Sequence, residues 1–135
     1  MSELDSLALA LAGTDSAVYA YGLIAARVSG EELSRAISAM TSHRMHRDLL
    51  RGRISTLGGT PPAAAAAYTP PFAVTDAASA RRLAALVEDR LAGQWAGLAA
   101  ASSAAMRSAA ALTAQECAVR AVTWSGTAPV WSGAV

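Results

Sequence analysis

Residues 58–72, GGTPPAAAAAYTPPF, limit the possible folds more than any other stretch of this chain. Two proline pairs bracket an alanine run. Proline removes a backbone donor, fixes φ and pushes the residue before it out of the helical region, so the helical preference of alanine is overruled here. The segment must be extended or turned, and a link of this length can travel the full height of a helical bundle. Tyr68 and Phe72 supply two aromatic pins for it, which a disordered linker rarely carries.

Helical patterns lie on both sides of this break. Leu4, Leu7, Leu11, Thr14, Val18, Tyr21, Ala25 and Val28 step by threes and fours, predicting a first helix over residues 3–28. Ser2 and Asp5 make a capping box at its start. Gly13 and Gly22 lie inside it, and close packing is the expected reason for each, since glycine weakens a helix by up to about 1 kcal/mol relative to alanine. Ser29 and Glu32 form a second capping box, and the connection is so short that the next helix must fold back antiparallel. Leu33, Ile37, Met40, His43, Arg47, Leu50, Ile54 and Leu57 mark the second seam, which ends at Gly58-Gly59.

Beyond the break, Thr75 or Asp76 caps a third helix that runs to about Ser102 through Leu83, Val87, Leu91, Trp95 and Leu98. A soft join, SSAAM, leads to a fourth over 104–125, with Leu112, Glu116, Val119 and Thr123 expected to face inward. Gly126 and Pro129 stop it. Residues 1–126 therefore read as one all-α domain, an antiparallel four-helix bundle with a long helix 2–helix 3 crossover over 58–75, and 127–135 as a C-terminal tail. Two hairpins joined by one long crossover is the ferritin-like arrangement.

Composition agrees with that reading. Hydrophobic residues make up 53% of the chain and aromatics only 5%, because alanine dominates, and small side chains let helices approach closely. With 11 basic residues, all arginine, against 10 acidic ones, the formal charge is +1, too small to steer the chain toward nucleic acid or acidic membranes. Arg44, Arg47, Arg51 and Arg53, with Arg81-Arg82, are the only basic cluster, and part of it shares the seam. The start MSELD lacks the basic residues of a signal peptide, no apolar run is expected to reach the ~20 residues of a membrane span, and Cys117 stands alone. A cytoplasmic protein with no nucleic-acid or membrane partner is expected. Three tryptophans, Trp95, Trp124 and Trp131, read as core or interface anchors, and with the alanine-rich faces they suggest a homodimer.

The chemistry lies in the polar residues on the seams. SHRMHRDLL, residues 42–50, places His43, His46 and Arg47 on a helix that should face a core, with Asp48 free to pair with Arg44 or Arg51. Thr14, Glu88, Glu116 and Arg120 fall at similar depths on the other helices. A di-iron bundle needs a Glu on each of two helices and Glu-x-x-His on each of the other two. Here His43-x-x-His46 lacks the carboxylate, and Glu116 is followed three residues on by Val119 rather than His. Hard metal ions need several carboxylates, and the adjacent arginines repel cations. The favoured reading is a polar core of His43, Arg47, Glu88, Glu116 and Arg120, with Thr14 beside it, and no cofactor. An iron, manganese or zinc site on His43, His46, Glu88 and Glu116 is the alternative. A small anionic ligand against Arg47 and His43 is a third. Cys117, mid-helix, reads as a buried thiol, and there is no phosphate loop, serine elbow or cysteine pair. A non-catalytic structural or interaction protein is therefore the leading expectation, with a metal-dependent oxidoreductase as its rival.

TDSAVYAYGLIAARVSG, SHRMHRDLL, PPAAAAAYTPPFAVTDAASARRLAALVED and AVRAVTW together resemble an uncharacterised, alanine-rich actinobacterial branch of the ferritin-like superfamily. The resemblance covers about Leu7 to Trp124. Its most specific pieces are AVYAYG, the HRxxRD run at 43–48 and Tyr-x-x-Pro in the crossover. It implies a four-helix bundle and supplies no activity. His43, Arg44, Arg47, Asp48 and Glu88 match that branch, whereas His46 is not part of its pattern. The branch reads Glu-His before AVYAYG, where this chain has Thr14-Asp15, so the helix-1 carboxylate is missing and the resemblance favours an arginine-rich polar core.

Overall fold

The structure, a computed structural model, describes residues 1–65 and 67–126. Four helices account for most of them: α1 (Glu3–Ala25), α2 (Gly30–Thr56), α3 (Ala77–Ala101) and α4 (Ala104–Ser125). No strand occurs among the described residues. The expected tail at 127–135, with Trp131, lies outside them.

The ends of the helices follow the local chemistry. At α1 the Ser2 hydroxyl accepts from the Asp5 amide at 3.1 Å and the Asp5 carboxylate accepts from the Ser2 amide at 3.3 Å, a capping box with Asp in the usual Glu position. Asp76 and Ser79 make the same exchange at the start of α3, at 2.8 and 3.1 Å. The box expected from Ser29 and Glu32 does not form. Glu32 instead takes Arg81 of α3 in a two-point pair at 2.5 and 2.8 Å, and a charge-assisted fork outcompetes a neutral cap. Gly126, at φ +71°, closes α4 in the left-handed conformation.

α1 packs between α2 and α3, and α3 packs on α4, whereas no Cα of α2 comes within 8 Å of one in α4. The core runs along α1 through Leu7, Leu11, Tyr21 and Ile24, and along α3 through Leu83, Leu91, Trp95 and Leu98. Gly13 fits the close-packing expectation, since a Cβ there would lie 1.9 Å from the Gln94 side chain. Gly22 does not, because among the described residues nothing lies within 4 Å of its missing Cβ.

Three expectations need correction. The inward face of α4 is not Leu112, Glu116, Val119 and Thr123. Those residues are exposed, Leu112 at 57% and Val119 at 64%, and Met106, Ala110, Thr113, Cys117 and Trp124 face the core. In the first half of α2, Ala36 and Ala39 are buried while Ile37 is exposed. On α2 alanine occupies the tight interface and the larger residue is left outside, and on α4 alanine lies on both the buried and the exposed side, so apolar spacing does not mark the inward face. Finally, α1 is long and apolar enough to cross a membrane by length and composition. Its apolar residues pack against α2 and α3, and its one mid-helix charge, Asp15, faces Arg51 at 3.6 Å.

The crossover is pinned as its aromatics predict. Tyr68 meets Tyr19 edge-on at 6.4 Å between centroids, and Arg82 lies 4.5 Å over the Phe72 ring. Among the described residues of 60–74, none is hydrogen-bonded to a helix, so side-chain packing holds the segment in place.

Candidate functional site

Glu88 of α3 is fully buried, and one of its oxygens gathers donors from the other three helices. Oε2 accepts from the Tyr21 hydroxyl at 2.5 Å (α1), from His43 Nε2 at 2.9 Å (α2) and from Arg120 Nε at 3.1 Å (α4). Trp124 Nε1 donates to the Tyr21 oxygen at 3.0 Å, so Tyr21 passes a hydrogen-bonded chain from α4 to the carboxylate. Arg35 closes over the outer face of Trp124 at 5.3 Å, bridging α2 to α4. His46 stands edge-on to Trp95, 5.4 Å between centroids.

The electrostatics follow from burial and pairing. Burial pushes the Glu88 carboxyl up, but His43, Arg120 and Tyr21 together hold it below the usual carboxylate range, so it is ionised. Burial and the neighbouring Glu88 charge push the Tyr21 hydroxyl far above its ordinary value, and the same two causes push the Cys117 thiol up to about 12. Burial, then the approach of His43, lowers His46. Burial works against the Arg120 charge, but the Glu88 carboxylate outweighs it and raises Arg120. One carboxylate faces one guanidinium, and the pair is neutral.

Of the residues expected at this site, His43, Glu88 and Arg120 come together. Arg47 does not: its Nε donates to Asp48 at 3.4 Å, so Asp48 pairs with neither Arg44 nor Arg51. Glu116 does not either, because the true phase of α4 leaves it exposed. Thr14 is buried but donates to the Ala10 carbonyl at 2.7 Å, satisfied within its own helix. Sequence reasoning placed Tyr21 on the seam and Trp124 among the anchors without giving either a polar role. The available signal was physical, since a buried Tyr or Trp must find a partner for its O–H or N–H.

Residues 6–133 match the family described as Domain of unknown function (DUF4439). The chain belongs to the DUF4439 family. Its fold is that of a conserved hypothetical protein, rv2844, from Mycobacterium tuberculosis, with 33% identity over 92% of this chain and 95% of that one, and a TM-score of 0.88. A ferritin-like, diiron-carboxylate protein from Bacillus anthracis str. Ames also shares it, at 21% identity, 90% and 88% coverage and a TM-score of 0.70. No curated protein matches the chain. The DUF4439 chain is thus a ferritin-like all-α four-helix bundle.

Its central residues do not fit a di-iron centre. Among the described residues no three His, Cys, Asp or Glu side chains converge to hold a metal ion. The buried carboxylate that a metal would need, Glu88, has its Oε2 filled by three donors, one of them a cation. Its second oxygen, with Nδ1 of His43 and of His46 and Nε1 of Trp95, is buried without a hydrogen-bond partner among the described residues.

Proposed function

We propose that this DUF4439 chain is a non-catalytic structural and interaction protein, with an Arg/His/Glu core in place of a di-metal centre. The observation that carries the proposal is the Arg120 guanidinium on Glu88, 3.1 Å from the oxygen that also binds Tyr21 and His43. A guanidinium there supplies the positive charge that a buried carboxylate requires, and repels any further cation. The rival reading is a metal-dependent oxidoreductase on His43, His46, Glu88 and Glu116, and it requires Arg120 to withdraw. Elemental analysis of the purified protein after chelation separates the two. We expect far less than one metal per chain; stoichiometric iron, manganese or zinc retained through chelation overturns the proposal.

For the partner we propose a second copy of the chain. Two of the three tryptophans that suggested a dimer are buried, so the support is now the exposed apolar residues Leu112, Val119, Met45 and Leu49 on α4 and α2. Light scattering that shows only monomer at high concentration removes this part. A lone buried thiol fits a reducing compartment, and we propose the cytoplasm, to be checked by fractionation of cells expressing the chain.

A further inference from the structure

α2 and α4 close the fourth side of the bundle, and no Cα of one comes within 8 Å of a Cα of the other. The crossover does not cover this side, because Tyr68 and Phe72 pin it to Tyr19 of α1 and Arg82 of α3. Four large apolar residues are exposed here: Met45 (66%) and Leu49 (46%) on α2, Leu112 (57%) and Val119 (64%) on α4. Met45 and Leu49 lie two turns and one turn before Arg53, whose guanidinium reaches Ser103 at the start of α4. Leu112 and Val119 flank Glu116, whose charge acts on His46 of α2. Both pairs therefore border the seam between the two helices.

The charges around them are already engaged within the chain. Arg35 lies over Trp124, Arg53 reaches Glu3, Arg120 holds Glu88 and Asp48 takes Arg47. Arg44, seven residues before the Arg51 that faces Asp15, turns with it to the α1 flank. That leaves Glu116 as the charge on this face with no partner among the described residues. Exposed Met, Leu and Val with so little free charge make the composition of an interface centre rather than of a solvated face.

The dimensions fit a second copy. α4 has 22 residues, so it is about 33 Å long, and two helices side by side are about 20 Å wide. Their face is roughly 650 Å² in flat projection, close to the roughly 800 Å² per partner of a stable dimer. A lone helix covers one apolar pair and leaves the other in water. The bundle holds the two pairs at a fixed spacing, and the same face of another copy carries two apolar pairs at that same spacing.

We propose that a second copy docks here, α2–α4 face on α2–α4 face about a two-fold axis. This rests on the reading that the partner is a second copy, and adds which surface it takes. Docking covers the seam that leads to His46 and to Arg120, whose side chain is 20% exposed, so each copy completes the wall over the other's polar cluster.

Sedimentation velocity from micromolar to near-millimolar concentration tests this on the full chain and on three variants with exposed substitutions. Met45→Arg and Leu112→Arg lie on the face, and Leu9→Arg, on α1 where the leucine is 45% exposed, is the control. Circular dichroism confirms that each stays folded. We expect a wild-type dimer whose dissociation constant rises about a hundredfold or more in Met45→Arg and Leu112→Arg, where the two-fold axis brings like charges together, and is unchanged in Leu9→Arg. In the wild type, amide NMR changes on dilution centre on 45–49 and 112–119. A dimer that survives both face substitutions, or NMR changes centred elsewhere, overturns the placement and leaves the second-copy reading standing. A wild type that stays monomeric, or that takes a different protein on this face, overturns both.

Discussion

Replacing Arg120 by methionine isolates the contribution of the guanidinium to the central cluster. Methionine keeps the length and much of the apolar stem but leaves Glu88 as a buried anion. Breaking a fully buried ion pair from one side is worth about 3–5 kcal/mol. Two features of the structure reduce that figure. The Arg120 side chain is 20% exposed, so part of its charge is already screened, and Glu88 keeps its bonds to Tyr21 and His43. We expect a loss of about 2–3 kcal/mol, which for a chain of this length lowers Tm by about 7–11 °C. Urea unfolding followed by circular dichroism measures it, with an unchanged m-value marking a change in stability rather than in the denatured chain. The comparison is Arg53→Met, whose partner Glu3 lies 3.4 Å away in a part-exposed pair; its loss should be under about 1 kcal/mol. If Arg120→Met destabilises no more than Arg53→Met, Arg120 is an ordinary surface charge and the polar-core account fails.

Other consequences of the same geometry can be measured separately. Tyr21→Phe removes a donor to Glu88 and the acceptor of Trp124 Nε1, and should destabilise by about 2 kcal/mol while shifting the tryptophan fluorescence; an unchanged stability would place the hydroxyl outside the network. Because the fold holds the Glu88 carboxyl below its unfolded value of about 4.3, its stabilisation is fully present above that pH and is lost as pH falls through the lower, folded value. Tm of the wild type should therefore stay level through neutral pH and fall on acidification, and fall by less in Arg120→Met, which loses one of the groups that hold the carboxyl low; a rise on acidification of the wild type would contradict the assignment. Replacing the whole cluster with apolar residues (Tyr21→Phe, His43→Leu, Glu88→Leu, Arg120→Met) should leave a helical, compact chain with dye-binding surface and broadened NMR lines. Sharp, dispersed spectra from that variant would show that the cluster does not specify the packing.

The sequence was most informative where large residues and helix breakers coincide, and least informative where alanine fills every face. The leucine seam of α1 and the two proline pairs give the first hairpin and the crossover, and the helix limits fall within a few residues of their expected places. The phase of α4 was not legible from apolar periodicity, because alanine lies on both sides of that helix. Leu112 and Val119, its obvious seam residues, turned out to be outside. Trp124 was the better guide: stepping back from it by threes and fours gives Arg120, Cys117, Thr113, Ala110 and Met106, the face observed. That same step separates Arg120, which reaches Glu88, from Glu116, which does not. On α2 the seam named both His43 and Arg47, and only the structure shows the arginine drawn aside by the adjacent Asp48.

The alanine content that obscured the phase of α4 also bears on why a costly polar cluster belongs in this bundle. Helices that meet through alanine approach closely but present shallow ridges, so sliding by a turn or rotating by one residue forfeits little packing. Glu88 changes that balance, because its Oε2 is reached by three donors on three different helices. A one-residue rotation of α1, α2 or α4, about 100°, would leave Glu88 short of a donor and strand the displaced group in the core. The remaining seam positions at this level do not compete for it, since Thr14 is satisfied by its own backbone and Cys117 stays a neutral thiol. A single carboxylate oxygen shared by three donors thus distinguishes one arrangement of four alanine-rich helices from its near neighbours, a task that burial of small side chains performs poorly.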